Sequence, residues 1–156
     1  MQTAYPTPID IDLDHAEHTV DTEALASLIE QVVEAEGGDL RYVGVILTGH
    51  ETVRSLNRQY LDHDYNTDVL AFSLADPAPR SSDDDAEGES RSVVEGEVYV
   101  DLDTAAERHD EFDATFEEEV RRYVVHGTLH LLGYDDTTES GNREMRRLED
   151  AYLGGD

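Results

Sequence analysis

The run from Thr115 to Gly133 reads as one long helix with a marked start and a marked end. Thr115-Phe116-Glu117-Glu118 is a capping box, in which the threonine hydroxyl and the glutamate each satisfy an orphan N–H of the first turn. Acidic residues in that turn suit the positive end of the helix dipole. Tyr123, Val124, Val125, Leu129 and Leu132 give the helix an apolar interior, and Gly133 permits a left-handed cap. His126 and His130 stand four apart, so both imidazoles project from one face and can reach a single point. Asp135 and Asp136 follow the glycine at once, and a sharp reversal there could return a carboxylate to the same point. Three N/O ligands around one divalent ion, with a position left open, is the arrangement of a catalytic zinc site. The histidine spacing matches H-E-x-x-H, but Gly127 takes the place of the glutamate that acts as general base in such proteases. That argues against peptide hydrolysis by this route. Gly127 serves either a close approach of backbone or substrate, or helix packing.

Around this helix the chain alternates strand-like and helical patterns. Residues 8–14 alternate apolar and acidic, as a half-buried strand does. Asp21 or Thr22 can cap a helix whose face carries Leu25, Leu28, Ile29, Val32 and Val33, ended by Gly37-Gly38. Residues 41–47 form an inner strand. Thr48-Gly49-His50-Glu51 fits a second capping box, opening a helix with Val53, Leu56 and Tyr60 on one side. Strands follow at 69–74 and 96–102, separated by a stretch without apolar periodicity, and 76–92 is expected to be a mobile acidic loop within one domain spanning 1–156. A last amphipathic helix carries Met145, Leu148 and Tyr152. The expected class is α+β: a single domain with a mixed sheet of about four strands and the histidine helix near the C-terminal end.

Composition narrows the chemistry. There is no cysteine, so disulfides and thiolate zinc sites are excluded and any metal must be held by histidine and carboxylate. No apolar run approaches the ~20 residues that span a bilayer. The N-terminus lacks the regions of a signal peptide, so a cytoplasmic protein with no membrane partner is expected. Asp and Glu number 38 against 11 basic residues, all arginine, for a formal charge of −27. Such a surface repels nucleic acid in dilute salt. It also fits adaptation to molar salt, where a Debye length of ~3 Å screens most of that repulsion. Any RNA affinity would need a local groove, with Arg54, Arg58, Arg121 and Arg122 as candidates. His50 and His109 lie in polar surroundings and are expected to be exposed. Asp62-His63-Asp64 reads as a solvated turn, and Thr67 and Asp68 shape a site or cap a strand.

Residues 126–135 resemble the YbeY family of rRNA maturation factors, whose motif H-G-x-L-H-L-x-G-Y-D-H they follow through its first ten positions, eight of them specified. Leu56-Asn57-Arg58-Gln59-Tyr60 through Thr67-Asp68-Val69-Leu70-Ala71-Phe72 is similar to a second family signature, and Gly96-Glu97-Val98 to a third, in the family's order. The resemblance implies a metal-dependent, single-strand-specific endoribonuclease acting on small-subunit rRNA and in ribosome quality control. Its partners would be single-stranded RNA and the ribosomal small subunit, with no DNA expected. It places metal ligands at His126, His130 and Asp136, the last standing where the family has histidine, and Asp135 competes for that role. One zinc ion is expected, with Fe or Mn also fitting two histidines and a carboxylate. No side chain is assigned as catalytic; water activated by the metal is the expected nucleophile or base. Leu61 occupies the place of a family arginine, and Arg58, one helical turn earlier, is a substitute for substrate binding. The competing readings are a non-catalytic ribosome-assembly factor with a structural metal, or a metallohydrolase of another substrate.

Overall fold

The computed structural model describes residues 8–61, 69–74, 93–112, 114–134 and 138–153. Its strands are β1 (Ile9–Leu13), β2 (Asp39–Thr48), β3 (Val69–Ser73) and β4 (Val93–Asp101). Its helices are α1 (Thr22–Ala35), α2 (His50–Leu61), α3 (Leu102–Arg108), α4 (Phe116–Leu131) and α5 (Glu139–Tyr152), with a 3-10 turn at His109–Phe112. The strands form one mixed sheet in the order β1-β2-β4-β3, with β1, β2 and β4 parallel and β3 antiparallel to β4. This is the α+β, single-domain architecture with a four-stranded mixed sheet that the sequence led us to expect. The expected loop at 76–92 and the turn at Asp62-His63-Asp64, with Thr67 and Asp68, lie outside the described residues.

Strand pairing fixes which side chains share a face. Ile9 pairs Val43, and Val45 pairs both Ile11 and Val98. Val100 pairs Leu47 and Val69. These apolar positions form one face, and α4 lies on it at β3 and β4 while packing against α1. The α1 stripe Leu25, Leu28, Ile29, Val32 and Val33 is buried, as its spacing required. Asp21 caps α1 by accepting from the Ala24 N–H at 3.1 Å. Gly127 brings α4 onto the sheet: a Cβ there would stand 2.5 Å from Val98 Cγ1. Of the two roles open to Gly127, the structure shows packing.

Two local expectations are corrected. The final strand was expected to run through Leu102, but it stops at Asp101, whose carboxylate accepts from the Thr104 N–H at 3.0 Å and opens α3. Thr48 was expected to open a capping box for α2, but it closes β2, so its hydroxyl is turned to Asp14 at 3.5 Å. The start of α2 is held instead from another element, by Asp103 Oδ2 accepting from the His50 N–H at 3.0 Å.

Candidate functional site

The capping box at Thr115 forms in both directions: the Glu118 N–H donates to Thr115 Oγ1 at 3.1 Å, and the Thr115 N–H to Glu118 Oε1 at 2.9 Å. Three turns on, α4 presents His126 and His130, whose rings meet edge-to-face with centroids 4.7 Å apart. Their Nε2 atoms lie 3.2 Å from each other. Beyond Leu131 the chain turns through Gly133, at φ +106, a backbone that favours glycine. The Tyr134 N–H donates back to the Leu129 carbonyl at 3.0 Å, and the Tyr134 carbonyl accepts from His130 Nδ1 at 3.1 Å. Glu149 of α5 reaches His126 Nδ1 with Oε2 at 2.6 Å.

These contacts fix where the ring hydrogens sit. A backbone carbonyl can only accept, so Nδ1 of His130 carries a hydrogen. An ionised carboxylate can only accept, so Nδ1 of His126 does too. In neutral rings both Nε2 atoms then present lone pairs to each other across 3.2 Å. That arrangement is repulsive until a cation, proton or metal, lies between them. Two nitrogens bound to one tetrahedral zinc at ~2.0–2.1 Å would stand about 3.3 Å apart, so the separation suits such an ion. Asp136, the expected third ligand, and its competitor Asp135 lie outside the described residues.

A cavity of about 410 Å³ opens beside His126, lined by three arginines, Arg108, Arg122 and Arg146, and by three carboxylates, Glu119, Glu149 and Asp150. Of the four arginines considered from sequence, it contains Arg122 alone. Arg54 and Arg58 stand exposed on α2 and do not line it, nor does Arg121, whose buried Nε has no hydrogen-bond partner among the described residues. Arg122 donates to Glu149 Oε1 at 3.1 Å and to Asp150 Oδ1 at 2.9 Å. Burial works to lower its pKa, but the two carboxylates overcome this and hold it above the ordinary arginine value.

Sequence reasoning missed Glu149. The signal was there: Met145, Leu148, Glu149 and Tyr152 share one helical stripe, and an acid among core positions needs a buried partner. It also missed a second group, His15, His18 and Asp103, whose ligand atoms lie within 4.8 Å of one another and could hold a metal ion. In this arrangement His15 Nδ1 accepts the N–H groups of Glu17 and His18 at 3.0 and 3.2 Å. Its hydrogen therefore sits on Nε2, donated to Asp103 at 2.9 Å, and a metal there would have to displace it. The two lone histidines are less exposed than expected. His50 is bonded to buried Asp101 at 2.8 Å, and His109 Nδ1 donates to the Ala114 carbonyl at 2.8 Å. Both are half-buried because the unexpected helix α3 packs its carboxylate cap and its last turn beside them.

A His-x-x-x-His helix, backed by a buried carboxylate and laid on a mixed sheet, gives an α+β protein two imidazole nitrogens that face each other at one point. The family profile described as "Endoribonuclease YbeY" matches residues 10–155. The chain belongs to this family. It is 56% identical over 154 residues to the endoribonuclease YbeY of Salinibacter ruber, covering 98% of this chain and 94% of the relative. It is 37% identical over 135 residues to that of Chlorobaculum parvum, covering 86% of each. A protein of Thermotoga maritima, known from a solution structure, matches with a TM-score of 0.60 at 32% identity, over 94% of this chain and 87% of its own.

Proposed function

We propose that this protein is a metal-dependent, single-strand-specific endoribonuclease. It acts in rRNA maturation, at the 3′ end of the small-subunit rRNA, and in ribosome quality control. The near full-length likeness to endoribonucleases supports the activity. The single observation that carries the chemistry is the facing pair of Nε2 atoms, each with its Nδ1 already committed. In this reading His126, His130 and Asp136 hold one ion, zinc in the first instance, with Fe or Mn compatible with the Asp ligand. When bound, a divalent ion polarises a phosphoryl oxygen and acidifies water toward pKa ~7.

The chain's own residues do the rest. Arg146 and Arg108, on the cavity wall beside His126, offer planar guanidinium groups to backbone phosphates of the strand. Arg58 on α2 is a further contact for the substrate outside that cavity. Gathering three arginines at one cavity gives a chain of charge −27, with 11 basic against 38 acidic residues, a local point of contact for phosphate. The acidic surface is read as a salt adaptation, and the small ribosomal subunit in the cytoplasm as the setting. Among the described residues no helix is long and apolar enough to cross a membrane. The test is cleavage of single-stranded against duplex RNA in high salt. Metal-loaded protein is expected to cut the single strand, and His130→Ala to lose that activity. Equal activity in both preparations would overturn the reading.

A further inference from the structure

We infer that Glu149, held in place by Arg122, is a positioning residue that fixes the ring of His126 for metal binding; this rests on the ligand reading above. Glu149 is 6% exposed, so its charge must be matched from within the protein. An arginine fork can take both oxygens of one carboxylate. Here Arg122 divides the fork, giving one nitrogen to Glu149 Oε1 and the other to Asp150. Oε2 is thereby left to a single partner type, the Nδ1–H of His126, at 2.6 Å. That bond decides the tautomer. With the hydrogen on Nδ1, the Nε2 lone pair is directed at His130 Nε2, 3.2 Å away. A ligating imidazole backed by a carboxylate in this way is oriented and made more basic, and loss of such a partner costs about 10–100-fold in metal affinity.

Glu149→Gln keeps the shape but reverses the wiring. Arg122 can only donate, so it captures the amide oxygen and leaves the amide NH2 facing His126. The ring must then accept at Nδ1 and carry its hydrogen on Nε2, the wrong nitrogen for a ligand.

Two readouts on the untagged full chain test this. Nitrogen-15 NMR of the metal-free protein should show His126 as the Nδ1–H tautomer in the wild type and as Nε2–H in Glu149→Gln. Competition with a chelator should show zinc affinity reduced about 10–100-fold in Glu149→Gln, and by a smaller factor in Arg122→Gln. Asp21→Ala is the structural control. It removes the cap of α1, where Asp21 accepts from the Ala24 N–H, so it should lower stability with little change in zinc affinity. An unchanged tautomer together with unchanged affinity in Glu149→Gln would overturn the positioning role while leaving the ligand reading standing. A wild type that binds no zinc would overturn both.

Discussion

Replacing Gly127 with alanine places a methyl group where the sheet already stands. The new Cβ would lie 2.5 Å from Val98 Cγ1, 3.1 Å from Val98 Cγ2 and 3.4 Å from Val69 Cγ2. Val98 is fully buried in the centre of β4, so it has little room to yield. Two terms oppose each other. Alanine in place of glycine inside a helix gains about 0.8–1.0 kcal/mol. Overpacking a dense core costs about 1–3 kcal/mol. The sum should be a net loss of roughly 1 kcal/mol, with α4 and Val98 moved apart by at least ~0.5 Å. The decisive comparison adds Val98→Ala, which alone leaves a cavity and costs roughly 2 kcal/mol. In the double variant the methyl group added by Gly127→Ala enters that cavity. It should therefore be more stable than the summed single effects by about 1 kcal/mol. Urea unfolding midpoints of the four proteins at one salt concentration measure this. A single Gly127→Ala that stabilises by the full helix-propensity gain would refute the close contact, and so would strict additivity.

Two further outcomes follow from charge. Burial pushes the Asp103 pKa up, but the His50 N–H and the His15 ring outweigh it and leave Asp103 below the ordinary carboxylate value of 3.8. A depressed pKa contributes stability above the unfolded value and loses it as pH falls through the folded one. The stability gap between wild type and Asp103→Asn should therefore be roughly constant at neutral pH, about 1 kcal/mol for a half-exposed group, and close below about pH 4. Chemical denaturation at pH 7 and pH 3 reads it, and a gap that widened in acid would contradict the assignment. Separately, a chain of net charge −27 should gain thermal stability from ~0.1 to ~1 M KCl, where the Debye length shortens from ~10 to ~3 Å. A melting temperature independent of KCl would count against the salt-adapted surface.

What was legible in the sequence was periodic or punctuated. The α1 stripe, the Thr115 capping box and the Gly133 reversal are local events, and each forms as its residues dictate. His126 and His130 belong to the same class, because four residues of helix fix their mutual placement without help from the rest of the chain. What was not legible depends on distant parts meeting. The cap of α2 comes from Asp103, 53 residues away in sequence, which a local pattern at Thr48 cannot reveal. Helix α3 was hidden because apolar Leu102 continued the strand pattern, while the carboxylate of Asp101 was already turning to cap it. Glu149 lies 23 residues from His126, and its role needs α5 packed on α4. The same distance effect explains the arginines: Arg108, Arg122 and Arg146 come from three helices and share a cavity only after folding.

The central claim is that His126 and His130 share a divalent ion. Metal content of untagged protein, measured by mass spectrometry beside His126→Ala/His130→Ala, tests it most directly. One ion per chain in the wild type and none in the double variant is the expected result. A double variant that keeps its full complement would contradict the claim and move the ion to the His15, His18 and Asp103 group.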